Sequence, residues 1–294
     1  MAYRFWRQAR RRLHNGSLSV GGEPVTRTIS RLAAACLLAG LIASPASAQE
    51  SGQRPFCADR PGKGSPTCTL DPGVFQAEAG FDYSHFDQAG VEAEEFGYGA
   101  MTLRLSLTDS LEGQILWTPY TVARETVGGL TDDSRGSGDL GVSLRQNLLN
   151  PDGSGASVAL QMIVTAPTGA DGIGAGVWEG SLMLPASFEL TEETALTGMV
   201  EWDWVGDAGG GGHHSAWSGV VGIEHGLGEL TLAGELWVQR DDDPSKTLTQ
   251  ASAGVQLMWT PASLHDLQFD VGVDFGLNED TPDVALGVGV AKRF

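Results

Sequence analysis

Basic residues are scarce in this sequence. It has 18 Lys and Arg against 37 Asp and Glu, and seven of the arginines but only one glutamate lie in residues 1–48, so residues 49–294 carry a net charge of −25. Proteins bind nucleic acids mainly through Lys and Arg contacts to phosphate. The scarcity therefore excludes a nucleic-acid partner, and it fits a solvated or cation-attracting surface.

Long apolar runs are missing after residue 48. The one run that approaches membrane length, LAAACLLAGLIASPASA, ends in the small-residue pattern Ala-Ser-Ala at 46–48. A basic start, a short apolar core and this cleavage pattern predict a secretory signal peptide over residues 1–48, so that the mature chain begins at Gln49. An uncleaved membrane anchor is the alternative, but the run is short for one.

Cysteine is rare, with three in the chain. Cys36 lies within the predicted signal peptide, which leaves Cys57 and Cys68. Exported chains meet an oxidising compartment, so we expect these two to form a disulfide that ties down a periplasmic N-terminal segment over residues 49–74. Two free thiols remain the alternative, whereas the spacing does not match a paired CxxC zinc site.

What the chain does have, from residue 75 to its end, is one repeated pattern. Apolar side chains occupy every second position for about ten residues, and a turn rich in Gly, Asp, Asn or Pro follows. This period is typical of strands with two unlike faces, and no helical spacing competes with it. The predicted strands are 75–84, 96–107, 111–119, 138–147, 156–166, 177–190, 194–205, 215–225, 229–240, 248–260, 265–276 and 283–294.

Twelve long strands would form a barrel too wide for a packed core, so we expect the polar faces to line a lumen and the apolar faces to meet lipid. A soluble sandwich or lipocalin-like barrel would turn the apolar faces inward instead. The connections alternate between short turns and longer joints at 85–95, 120–137, 167–176, 206–214, 241–247 and 277–282. We therefore predict an all-β fold over residues 75–294, an antiparallel transmembrane β-barrel of about 12 strands in a Gram-negative outer membrane, with both termini in the periplasm.

Aromatic residues near the strand ends predict two girdles at the membrane interfaces. The predicted girdle residues are Trp117, Trp178, Trp202, Trp204, Trp217 and Phe275 at the outer ends, and Trp259 and Phe294 at the inner ends. Phe96 and Tyr98 have the wrong parity for the lipid-facing side of their strand, which requires a bulge near Gly99. Trp237 is predicted to point into the lumen.

Four stretches resemble the outer-membrane transporter family of the MetA pathway of phenol degradation. They are DRPGKGSPTCTLDPGVFQAEAGFDYS, GSGDLGVSLRQNLL, VALQMIVTAPTG and NEDTPDVALGVGVAKRF. The resemblance implies a porin-like barrel that exports or takes up small, often aromatic or hydrophobic compounds. The terminal Phe294 is similar to the signal that the barrel-assembly machinery reads during biogenesis, although Lys292 departs from the apolar residue usual two places earlier.

Strand parity places many ionisable side chains on the lumenal face, and most of them are carboxylates. The predicted pore-lining residues are Glu78, Asp82, Arg104, Glu112, Asp139, Arg145, Glu179, Glu201, Asp203, Glu224, Glu235, Asp270 and Asp274. A dry lumen would make these charges very costly. We therefore expect either a water-filled, weakly cation-preferring pore or a hydrogen-bonded polar wall without selectivity.

Two short motifs invite a metal interpretation, His213-His214 in a glycine-rich stretch and Asp241-Asp242-Asp243. We expect both to be solvated outer loops, because adjacent histidines rarely converge on one ion, and we predict no metal and no cofactor. No catalytic motif such as GxSxG is present. Ser215 beside His214 is the nearest nucleophile and base, but neighbours on a strand point to opposite faces.

The sequence thus predicts a channel or transporter for a small-molecule permeant, surrounded by outer-membrane lipid, and not an enzyme. A non-transporting structural or binding barrel, plugged by side chains and by residues 49–74, is the second hypothesis. A lipid enzyme acting at the outer rim is the third.

Overall fold

Antiparallel strands make up almost the whole fold. The structure is a computed structural model that describes residues 53–294, and the predicted signal peptide over residues 1–48 lies outside them. The strands are β1 Phe75–Gln88, β2 Val91–Ser106, β3 Leu111–Trp117, β4 Tyr120–Val127, β5 Leu130–Gly136, β6 Leu140–Leu149, β7 Ala156–Ala166, β8 Glu179–Glu189, β9 Thr194–Gly206, β10 His213–Leu227, β11 Leu230–Asp241, β12 Leu248–Trp259, β13 Leu267–Gly276 and β14 Val284–Arg293. Within the described part of the chain, no helix is long and apolar enough to cross a membrane.

The sheet closes on itself because β1 pairs with β14 as well as with β2. Residues 101–106 of β2 pair with β3, and residues 91–98 of β2 pair with β4. β3 and β4 therefore occupy the same position in the ring. β5 pairs with β4, and the ring continues from β3 to β6. The prediction of a closed antiparallel barrel of twelve strands is confirmed. We call the end that carries Phe294 and the short turns the inner end.

Two of the predicted outer joints are hairpins instead of loops. Residues 85–95 continue β1 and β2 up to a two-residue turn at Ala89 and Gly90, both with positive φ, as a tight hairpin turn requires. Residues 120–137 contain the β4–β5 hairpin. Apolar and polar residues do not alternate regularly in either stretch, because strands that extend beyond the apolar belt can be polar on both faces. The apolar period therefore ends before the strand does.

The bulge predicted near Gly99 is present. Gly80 pairs with Ala100 and Phe81 pairs with Tyr98, so Gly99 has no partner across β1, and its φ of 71° is a left-handed value that suits glycine. A side chain there would also press against Pro119. The bulge turns Tyr98 outward, where its ring packs against that of Phe81.

Apolar side chains cover the outside of the barrel and polar side chains fill the inside. Val200, Leu236 and Val238 are 55–59% exposed, whereas the largest fully buried side chains include Arg104 and Arg145. A soluble sandwich or lipocalin-like barrel would show the reverse arrangement. The fold is therefore that of an outer-membrane barrel, with an apolar band for lipid and a polar interior.

The predicted girdle residues lie near both rims. Trp178, Trp204, Trp217 and Phe275 are exposed near the outer ends of their strands, and Trp259 and Phe294 are exposed near the inner end. Trp117 and Trp202 are partly buried, and the Trp202 ring packs against that of Trp217. Trp237 is buried and lies on the inner wall.

The lipid-facing assignment predicts the effect of a charge placed at mid-strand. Val200→Arg puts a guanidinium near the middle of β9 on the outer face, so we expect it to lower the free energy of unfolding by about 2–4 kcal/mol. Leu130→Arg, at the tip of the β4–β5 hairpin beyond the belt, should change it by less than about 0.5 kcal/mol. Denaturant unfolding of the protein folded in lipid vesicles measures both, and equal losses would contradict the assignment.

Candidate functional site: a plug in the lumen and a cavity above it

The N-terminal segment lies inside the barrel. Residues 54–71, which we call the plug, enter the lumen from the inner end and contact inward-facing side chains on most of the wall. Cys57 and Cys68 are joined by a disulfide, which closes a loop whose tip is formed by Arg60–Ser65. The leading hypothesis from sequence puts this segment in the periplasm, whereas the second hypothesis puts it in the lumen as a plug. The segment has no strand period, so the sequence pattern does not choose between the two positions.

A network of buried charges holds the base of the plug. Arg104 on β2 donates to Glu112 on β3 at 2.7 and 2.9 Å and to Glu78 on β1 at 3.2 Å. It also donates to the carbonyl of Cys57 at 2.6 Å. The Arg104 side chain and both carboxylates are fully buried. Buried charges are tolerated only when paired, so the plug and the wall complete each other.

Asp59 extends the same network across the lumen. Its backbone N–H donates to Glu78 at 3.0 Å, and its carboxylate pairs with Arg145 on β6. Arg145 also contacts Glu112 at 3.4 Å and donates to Gln161 on β7 at 3.0 Å. Asp59 thus contacts the consecutive strands β1, β2, β3 and β6, and Arg145 links it to β7.

The tip of the plug carries two cations that meet lumenal carboxylates. Arg60 lies 3.2 Å from Asp82 on β1 and 3.4 Å from Asp270 on β13. A Cβ atom at Gly80 or at Gly289 would overlap its guanidinium, so these glycines make the room for it.

Lys63 is held by β11 and β13. Its backbone N–H donates to Glu235 on β11 at 2.9 Å, and its ammonium lies 3.6 Å from Asp274 on β13. The ammonium is also 5.1 Å from the ring centroid of Trp237, within cation–π range. The tip therefore contacts the part of the wall that runs from β1 through β13 to β11.

Above the plug lies a cavity of about 220 Å³. One side of its wall is apolar and includes Leu116, Ile163, Met183, Val205 and Trp237. Ile163, Met183 and Trp237 belong to a buried cluster of apolar side chains that lies inside the barrel. An apolar patch in an otherwise polar lumen is unusual for a plain water-filled pore.

Carboxylates border this apolar patch. Glu201 accepts a hydrogen bond from Ser218 at 3.1 Å, and Asp203 accepts one from Ser181. Glu179 and Asp139 line the cavity nearer the outer mouth. Asp139 accepts from the backbone N–H groups of Gly169 and Ala175 at 2.6 Å each, which fixes the loop between β7 and β8. The cavity thus combines an apolar wall with hydrogen-bond acceptors.

The structure separates the predicted pore-lining residues into three groups. The network of buried charges at the base of the plug, which we call the base network, contains Glu78, Arg104, Glu112 and Arg145. The carboxylates around the plug tip are Asp82, Glu235, Asp270 and Asp274. The cavity wall contains Asp139, Glu179, Glu201 and Asp203. Glu224 lies apart, near the inner end of β10. Sequence reasoning missed Asp59, Arg60, Lys63 and Ser65, although two cations in the short DRPGKG stretch of so acidic a chain were a signal.

His213 and His214 lie on β10 and not in an outer loop as expected, because β10 extends beyond the apolar belt. His213 stacks on Trp204 with ring centroids 3.7 Å apart. His214 makes hydrogen bonds to Asp207 at 2.9 Å and to Asp241 at 2.7 Å. Burial lowers the pKa of His214, but the hydrogen bonds to Asp241 and Asp207 outweigh it, so the pKa is raised from its ordinary value.

Ser215 points away from His214. Its hydroxyl accepts a hydrogen bond from the Trp202 indole at 3.1 Å on the outer face of the sheet, whereas His214 faces the inner side with Asp207 and Asp241. The two side chains that came nearest to a nucleophile and base therefore do not face each other.

Comparisons with known proteins support the fold. A family model described as "Putative MetA-pathway of phenol degradation" matches residues 58–294, which includes most of the plug. The β-domain of the Bordetella autotransporter BrkA is 12% identical with a TM-score of 0.52, and the match covers 76% of this chain and 100% of that chain. A search of curated proteins finds no match.

Two further solved structures are more distant. The NanC porin is 9% identical with a TM-score of 0.46, covering 74% of this chain and 98% of that chain. The CymD monoaromatic hydrocarbon channel is 9% identical with a TM-score of 0.43, covering 76% of this chain and 89% of that chain.

The base network predicts a large cost for removing its central cation. Arg104→Met leaves Glu78 and Glu112 buried without their nearest cation, so we expect the free energy of unfolding to fall by about 3–5 kcal/mol. Arg124→Met, which removes an exposed arginine from the β4–β5 hairpin, should leave stability almost unchanged. Denaturant unfolding in lipid vesicles measures both variants, and a small effect at Arg104 would show that the plug is not held by this network.

Proposed function

The chain belongs to the family of the MetA pathway of phenol degradation, and from this membership and the geometry of the lumen we propose that it is an outer-membrane channel for small compounds, closed at rest by the plug. The observation that carries the proposal is how the lumen is blocked. The lumen is filled by the plug, whose Arg60 lies against glycines of the wall, and not by a packed core of wall side chains. The tip of the plug is held by ion pairs and hydrogen bonds to side chains of the wall, and these can break while the backbone pairing between the strands stays intact.

We propose further that the permeant is a small compound with an apolar body and a cationic or hydrogen-bond-donating end. An apolar cavity of about 150 Å³ can hold benzene, so a cavity of about 220 Å³ suits a single ring with one substituent. The ring would lie on Ile163, Met183 and Trp237. The polar end would face Glu201 and Asp203, which disfavour anions.

A second candidate function is a binding barrel that does not conduct. The number of ion pairs between plug and wall favours it, because each must be broken before the lumen opens. The same cavity would then capture a ligand from the outside without passing it on. No observation favours a lipid enzyme at the rim.

Releasing the tip of the plug separates these two functions. The double variant Arg60→Ala with Lys63→Ala removes the pairs with Asp82, Asp270 and Asp274. If these pairs stabilise the plug in the lumen by about 1.4 kcal/mol, their removal raises the fraction of molecules with the plug displaced roughly tenfold. We therefore expect rare conductance steps in planar bilayers for the wild type and about tenfold more frequent steps for the variant.

The control for this experiment is Arg124→Ala with Arg135→Ala, which removes the same charge from the exposed hairpin. It should behave as the wild type. Silence in both the wild type and the plug variant would support the binding barrel and overturn the channel.

The permeant class is tested with one salt of two single-ring ions, phenyltrimethylammonium benzenesulfonate, in a gradient across the bilayer. We expect the sign of the zero-current potential to show that the cation passes more easily than the anion. A difference of about 1.4 kcal/mol in electrostatic free energy between the two ions would give a roughly tenfold preference for the cation. Glu201→Gln with Asp203→Asn, made in the same plug background, should reduce the preference. Glu224→Gln, away from the cavity, should not, and an anion-selective sign would refute the proposed class.

A further inference from the structure

Two motifs that lie far apart in the sequence meet at the outer rim of the barrel. His214 is on β10, Asp207 follows β9, and Asp241 and Asp243 lie at the end of β11 and just beyond it. His214 Nδ1 is 2.9 Å from Asp207 Oδ1 and 3.7 Å from Asp243 Oδ2. One ligand atom from each of these three residues lies within 4.8 Å of the other two.

Charge balance is the first reason to place a cation here. The side chains of His214, Asp241 and Asp243 are 4–9% exposed, and that of Asp207 is 19% exposed. A protonated imidazole supplies one positive charge to a group of three carboxylates. The group would then keep a net charge of −2 in a largely buried position, which is unfavourable.

The orientation of the imidazole is an independent reason. Its Nε2 lies 2.7 Å from Asp241 Oδ1, and a neutral imidazole that donates this N–H leaves Nδ1 with a lone pair. That lone pair faces carboxylate oxygens of Asp207 and Asp243, so that one nitrogen and two oxygen acceptors converge on one point. A histidine whose other nitrogen donates to a carboxylate is the usual arrangement around a metal.

The carboxylate of Asp243 is also fixed in advance. It accepts hydrogen bonds from the backbone N–H groups of Ala208 and Ser245, at 2.7 Å each. These bonds hold Oδ2 toward His214 and connect the loop after β11 to the loop after β9. Little ordering entropy would remain to be lost when an ion binds.

We propose that Asp207, His214 and Asp243 bind a divalent first-row transition metal such as Zn²⁺, with Asp241 orienting the imidazole and water completing the coordination. Tetrahedral Zn²⁺ with bonds of about 2.0–2.1 Å places its ligand atoms about 3.3 Å apart. The separations of 2.9 and 3.7 Å bracket this value. A nitrogen ligand disfavours Ca²⁺ and Mg²⁺, which prefer oxygen.

The metal would join the β9–β10 connection to the β11–β12 connection. It would stabilise the outer rim without touching the cavity or the plug, so the proposal stands independently of the transport function. A protein with a silent lumen could still bind the ion.

The test uses the full mature protein in detergent, stripped with a chelator and titrated with ZnCl₂. We expect one Zn²⁺ per chain by elemental analysis and calorimetry, and a rise in the thermal unfolding midpoint. His214→Ala and Asp243→Asn should abolish tight binding. Asp241→Asn, which perturbs only the orienting partner, should weaken it about 10–100-fold.

His213→Ala is the matched control, because it removes the adjacent imidazole, which stacks on Trp204 outside the cluster. It should bind Zn²⁺ as the wild type does, and CaCl₂ or MgCl₂ should not compete. Folding of each variant is checked by its heat-modifiable migration on gels. Absence of bound Zn²⁺ in the wild type, full affinity in folded His214→Ala, or an equal loss in His213→Ala would overturn the site.

Discussion

The closed ring of antiparallel hydrogen bonds is the constraint from which the other features follow. Once β1 pairs with β14, every strand residue belongs to one of two faces, and the face that meets lipid excludes charge. The ionisable side chains are therefore gathered inside. An interior with so many carboxylates requires cations or water, and the plug provides cations at Arg60 and Lys63.

Most of the barrel could be predicted from sequence because its main signal is local. A period of two identifies a strand and its faces together, and the wrong parity of Phe96 and Tyr98 was enough to locate the bulge at Gly99. The prediction failed where the period fades. β4 and β5 leave the belt, so selection for an apolar face no longer acts on them, and the period of two does not identify them as strands.

The site was harder to predict because it depends on contacts between distant segments. Parity placed Asp82, Asp270 and Asp274 on the inner wall but could not tell what they face. Their charge suggested a water-filled pore, whereas plug cations lie against all three. The same limit applies at the rim, where His214 and Asp243 belong to two motifs that are far apart in the sequence. Neither motif alone held enough ligands to suggest an ion.

The seat of Arg60 has a consequence for the order of assembly. Its guanidinium touches Asp82 on the first strand and the carbonyl of Val288 on the last, 3.2 Å away in each case. This seat does not exist until the two ends of the sheet have met. The tip of the N-terminal segment can therefore take its final position only after β1 and β14 have paired, although this segment precedes both strands in the chain.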